Sequence, residues 1–323
     1  MSVAFEDLRL PRDLRLSEWQ RTVVTALRAR LVRQIEDELR SGVAGALEGT
    51  GNEALHAALS SAHVVIAGPI LDECGAPSDP GLTSAILRRA EEHRLFRAGG
   101  GDHAFLLELA GDADEEVASG AMALLIAQSS RFDPFQDPIM ARTELSAHTH
   151  HFLVWTIAAA LRRYMIEQHG LDSSTADEAL AGAAAELLTD YDEGETVEAL
   201  SVRLAWRLRD TGRLDDEMVA RTLLDGSLPL FLAALAMRSG FDVAATWEIA
   251  SEPSGRGIAL LLRVAGIARD AAGTILFRIE EDEVRLAGKI DLFDLTDEQE
   301  AGRQLRLWRI DPAYRAAIAR LAA

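Results

Sequence analysis

Three histidines in one short stretch, His148-Thr149-His150-His151, are the residues best placed for chemistry. In a helix, His148 and His151 are three apart and share a face, while His150 points elsewhere. Imidazoles at that spacing can share a metal ion, but a third ligand must then come from another helix. No His-Glu-x-x-His motif is present. A histidine on a long helix followed by an antiparallel helix is also the layout of a phosphotransfer hairpin, with His150 or His151 as the phospho-acceptor. The acid and proline that follow a kinase-type histidine are missing, as are the glycine-rich boxes of an ATP-binding domain. The plainer reading is that these residues cap the helix start or pack beside Phe152 and Trp155, and it is the expectation here.

Other candidates are weaker on the same terms. Gly99-Gly100-Gly101 and Ser254-Gly255-Arg256-Gly257 could offer backbone N–H groups to a phosphate. Neither fits Gly-x-x-x-x-Gly-Lys-Ser/Thr or follows a strand, so both read as linkers. Asp112, Asp114, Glu115, Glu116, Asp190, Asp192, Glu193 and Glu195 lie in polar turns, where solvated faces and helix caps are expected. Cys74 with His63 or His93 would need something to orient the pair, so a buried structural cysteine is expected. Arg203, Arg207 and Arg209 beside Trp206 could face nucleic acid, but in an acidic chain they are expected to pair with carboxylates. No catalytic residue, cofactor or metal is assigned.

The elements that carry these residues are helical. Ala is one residue in six, and Leu, Arg and Glu are abundant. All lose little rotamer freedom in a helix. Runs of β-branched and aromatic residues with period two are scarce. The 323 residues carry 33 Lys+Arg against 52 Asp+Glu, a net charge of −19. That balance argues against a nucleic-acid or anionic-membrane binder, since both need excess positive charge. Phe152–Leu161 and Leu228–Met237, the longest apolar runs, fall well short of the ~20 residues of a membrane span. Residues 1–16 lack a basic start before an apolar stretch. A cytoplasmic protein is expected.

Along the chain, Ser17 is placed to cap an amphipathic helix. Its apolar side is Trp19, Val23, Val24, Leu27, Leu31, Ile35 and Leu39; Arg28, Arg30, Arg33, Glu36, Asp37, Glu38 and Arg40 fill its other faces. Residues 1–50 form this first part. Residues 51–130 read as short helices, with turns at Pro77–Gly81, at Gly99–Gly101, where Asp102 caps the next helix, and at Gly111–Asp114. Leu106–Ala110, that last turn, then Val117 and Ala121–Leu125 resemble one HEAT-type repeat. Ser129–Arg142, with two Asp-Pro steps, is the expected boundary. Residues 143–323 then form a helical C-terminal domain. It opens with a long helix from Thr143 to Gly170, paired with one that starts at Asp172 or Ser174. Residues 284–296 suit a strand or a helix equally, and Trp308 and Tyr314 are expected to anchor the closing helices.

The order of several motifs resembles a bacterial family, the domain of unknown function 2336. They are Ser60–Leu71, Glu92–Leu95, His150–Trp155 with Ala158–Arg162, Gly212–Asp215, Asp225-Gly226 with Leu230-Phe231, and Gly255–Gly257 with Leu260–Arg263 and Gly266. The resemblance runs over about residues 55 to 280. It implies an all-helical, HEAT-like protein of alphaproteobacterial type and brings no activity and no catalytic residues. The fold class expected is therefore all-α, stacked helical hairpins in a HEAT-like α–α superhelix with a helical C-terminal domain.

Function follows from that surface. Stacked hairpins suit a scaffold that binds a protein partner with a basic surface, in signalling or regulation, with no nucleic acid and no membrane. Homodimerisation through residues 17–40 or the His151 helix is a further expectation. The alternative is a histidine phosphotransfer regulator acting through His150 or His151.

Overall fold

The computed structural model describes residues 18–49, 52–61, 63–75, 79–135, 137–192, 194, 196–252 and 254–322. Residues 1–16, the Ser17 cap, Ala62, Pro77, Glu193 and Glu195 lie outside them.

Seventeen α-helices follow one another among the described residues. They are α1 (Glu18–Ala46), α2 (Glu53–Ser60), α3 (Ala67–Glu73), α4 (Pro80–Ala98), α5 (Ala104–Ala110), α6 (Glu115–Ser129), α7 (Ala147–His169), α8 (Ser173–Thr189) and α9 (Val197–Asp210). Then come α10 (Asp216–Leu224), α11 (Leu228–Ser239), α12 (Val243–Ala250), α13 (Arg256–Val264), α14 (Arg269–Ile279), α15 (Glu283–Leu295), α16 (Glu298–Gln304) and α17 (Pro312–Ala322). No strand occurs among the described residues; an isolated bridge joins Phe132 and Pro138. The fold is all-α, and residues 284–296 belong to it as helix α15 with its exit.

Local chemistry sets many of the ends. Asn52, Asp114, Ser146, Asp172, Asp215, Asp242, Asp282 and Asp297 each accept a hydrogen bond from a backbone N–H two or three residues on. These satisfy donors that a helix start leaves open. Gly170 ends α7 in the left-handed conformation, as its position suggests. Thr143 does not start that helix. It sits in a 3₁₀ turn, Arg142–Glu144, and Ser146 is the cap, accepting from Thr149 N–H.

The described contacts divide the chain into two compact units, each made of two stretches. The first is Met1–Ala90 with Arg131–Thr196; the second is Glu91–Ser130 with Val197–Ala323. The sequence reading instead takes the parts as consecutive. The step from Ser130 to Arg131 falls inside the stretch read as a boundary. The step at residue 90 falls within α4, where no glycine or proline marks it.

In the first unit α1 packs against α7 and α8. Val24, Leu27, Leu31, Ile35 and Leu39 meet Leu153, Val154, Ile157 and Leu161, with Ala176, Leu180, Ala184 and Leu187 from α8. Trp19, on the same apolar repeat, remains exposed.

In the second unit the α5–α6 hairpin is the one read at Leu106–Leu125. It packs with α9 and α11 through Phe105, Leu106, Val117, Ala121, Leu124, Leu200, Leu204, Leu208 and Leu230. Helix α11 is buried from Leu228 to Ala236, which explains why its sequence shows no alternation. Gly226 lets the chain enter it: its φ is +77°, and a Cβ there would lie 2.3 Å from the Cα of Phe96. Tyr314 does not anchor a closing helix: it is exposed on α17, and Trp308 lies half-buried in a 3₁₀ turn with Arg315 over its ring. The one lysine, Lys289, is held in a largely buried ion pair, its Nζ 2.8 Å from Glu280 Oε2.

Candidate functional site

The α7 cap fixes the histidines, and the helix separates them. His150 points inward and is 1% exposed. Its ring packs 5.1 Å from that of Tyr191, whose hydroxyl donates to Leu145 O at 2.6 Å. Its Nε2 has no hydrogen-bond partner. Burial first, then the neighbouring Arg142 guanidinium and His151, lower its pKa from 6.5 to about 4, so the ring is neutral at pH 7. His148 and His151 point outward. Trp155 Nε1–H donates to His151 Nε2 at 3.1 Å, one turn along the helix. The packing beside Trp155 is thus present, and Tyr191 is the partner that local spacing does not reveal. Among the described residues no group of three His, Cys, Asp or Glu could hold a metal ion.

Charged side chains are also buried in each unit. Glu36 and Arg40 of α1 are 1% and 2% exposed. Arg40 donates to the carbonyls of Ala58, Leu59, Ser61 and Val64, and Glu36 accepts from the N–H groups of Ile66 and Ala67. In the second unit, Asp225 is buried and its Oδ1 accepts from Phe105 N–H at 2.9 Å, at the start of α5. Burial pushes its carboxyl above the usual range, against the lowering effect of that N–H. The expected cap Asp102 reaches only Ala104 N–H, from a turn closed by left-handed His103.

Cys74 corrects another expectation, because it is exposed. Arg163 Nη1 lies 3.0 Å from its Sγ and also pairs with Glu73 and Glu167. Asp114 caps α6, and Arg207 pairs with it, with Glu116 and with Asp210, while Arg213 pairs with Asp112. The arginines beside Trp206 therefore include one committed to carboxylates. Gly257 is a packing residue, since a Cβ there would lie 2.0 Å from Ile249 O. An open depression of about 680 Å³ borders Arg209, Asp215, Asp216 and Arg238, and Arg238 Nη1 pairs with Asp216 at 2.5 Å.

The remaining feature is apolar and outward. On α6, Met122 and Ile126 are exposed one turn apart; on α9, packed against it, so are Val202 and Trp206. No single helix among the described residues is long and apolar enough to cross a membrane. One pair, Leu228–Ser239 with Val243–Ala250, passes that test jointly with a bend of 104°, and its apolar side chains are mostly core.

Fold and surface together define an all-helical protein with buried charged side chains bonded to backbone groups, as at Glu36, Arg40 and Asp225, and with exposed apolar side chains on α6 and α9. The profile of the bacterial family DUF2336, described as an uncharacterised protein conserved in bacteria, matches residues 98–306, and the chain belongs to that family. The matched region starts after Ser60–Leu71 and Glu92–Leu95 and runs past residue 280. No curated protein and no solved structure matches the chain.

Proposed function

We propose that the protein is a non-enzymatic cytoplasmic scaffold in bacterial signalling or regulation, whose stacked, HEAT-like hairpins bind a protein partner. The observation that supports this most is the exposure of Trp206, with Val202, Met122 and Ile126, on two packed helices. Aromatic side chains in such places anchor interfaces. The net charge of −19 favours a partner with a basic surface and speeds its encounter. The test is purification from the native host with mass spectrometry of co-purifying proteins. A stoichiometric partner that is lost at high salt supports the reading. A protein that stays alone across salt conditions, in both affinity purification and in-cell crosslinking, ends it.

Phosphotransfer is the second reading, and exposure shifts it from His150 to His151. Incubation with phosphorylated histidine kinases is expected to leave no acid-labile label. Label that survives His150→Ala and vanishes in His151→Ala would replace the scaffold reading with phosphotransfer.

A further inference from the structure

Helix α15 is sparsely covered. Among its 13 residues only Phe293 is buried. That ring lies under the Arg263 guanidinium, 4.4 Å from its centroid, and Arg263 Nε donates to Thr296 O at 2.8 Å. At 100° per residue, the side of the helix opposite Phe293 is the line Val284, Ala287, Gly288, Asp291 and Leu295. Val284 is 82% exposed and Leu295 87%. Phe277, near the end of α14, is also exposed. The line has a large apolar residue at each end, with the small residues Ala287 and Gly288 and the acid Asp291 between them. That shape admits another helix at close axial distance.

The charges around this face select its occupant. Residues 280–298 hold eight acids and two cations, a net charge of −6. Both cations are engaged: Lys289 with Glu280 at 2.8 Å, and Arg285 with Glu280 at 3.5 Å. Glu281 is paired with Arg94 and Asp282 caps the helix, which leaves Glu283 and Asp291 on α15, with Asp297 and Glu298 just beyond its end, as the negative charge around this face. A second copy would set acid against acid, and an anionic bilayer would be repelled in the same way. We infer that the outer face of α15 docks a positively charged amphipathic helix of a partner protein. The partner's apolar stripe covers Val284 and Leu295, and its Lys or Arg side chains reach the flanking carboxylates. This deepens the scaffold reading and rests on it.

The experiment uses the full chain and two labelled synthetic helical peptides of about 18 residues, long enough to hold a helix on a surface. Both carry a leucine stripe; one has Lys and Arg on its other faces, the other has Glu. Fluorescence anisotropy is expected to show binding of the basic peptide only, weakening with salt. Val284→Ser with Leu295→Ser is expected to weaken it at least ~10-fold, the effect of losing buried anchors. Phe135→Ser, a change at an equally exposed apolar residue outside α15, is expected to leave it unchanged. Full affinity in the Val284/Leu295 variant overturns the assignment to α15, as does equal binding of the acidic peptide or no binding of either. Those failures leave the scaffold reading standing, because that reading is tested by co-purification from the host and not by these peptides.

Discussion

Arg40 and Glu36 sit one turn apart on α1 and are both buried, yet each makes its best hydrogen bonds outside the pair. Their closest approach is 3.5 Å, while Arg40 donates to four backbone carbonyls between Ala58 and Val64, at distances down to 2.5 Å. Glu36 accepts from Ile66 N–H at 2.8 Å and Ala67 N–H at 3.0 Å, at the start of α3. The two side chains tie the α2–α3 connection to the middle of α1. They replace water for backbone groups that secondary structure leaves unpaired.

Removing either partner should therefore be costly. Arg40→Ala and Glu36→Ala are each expected to destabilise the first unit by about 3–5 kcal/mol, because each strands buried polar groups. The double variant should cost less than the two singles combined. Urea unfolding midpoints measure this, and a cost under about 1 kcal/mol for Arg40→Ala would remove the connection from the stability argument.

His150 gives a pH dependence of defined sign. Its pKa is about 4 in the folded chain against an ordinary 6.5, so the unfolded chain binds the extra proton between those values. The contribution of the neutral ring is complete above pH 6.5 and is lost as pH falls towards 4. It amounts to at most about 3 kcal/mol. His150→Gln should lose less stability than the parent between pH 7 and pH 5. Parallel pH profiles for the two proteins would contradict the buried neutral ring.

Two glycines should respond in opposite directions to the same change. Gly226→Ala sets a Cβ against the Phe96 backbone at positive φ, and about 3 kcal/mol or more should be lost. Gly182, inside α8, has nothing within 4 Å of the place a Cβ would take, so Gly182→Ala should stabilise by about 0.5–1 kcal/mol. Thermal melts decide it; a loss at Gly182 would mean that the open space there is occupied.

What the sequence made legible was local. Asp172 and Asp114 announce their helices because a cap bonds a neighbour two or three residues away. The periodic residues Leu27, Leu31, Ile35 and Leu39 announce the α1 core face. Burial of Glu36 and Arg40 was hidden, since the groups that offset its cost lie 18 to 31 residues on. Asp225 was hidden for the same reason, as its partner Phe105 is 120 residues distant. His150 shared its stretch with His148 and His151, but only Tyr191, on another part of the chain, distinguishes the inward ring from the outward ones.

The ion pair of Lys289 has a chemical corollary. Every other cationic side chain apart from histidine is a guanidinium, and this one amine is 11% exposed and bonded to a carboxylate. Amine-directed acylating agents and lysine-modifying enzymes must break the Glu280 contact to reach the one side-chain amine. Carboxylate-directed reagents, by contrast, meet a surface rich in targets.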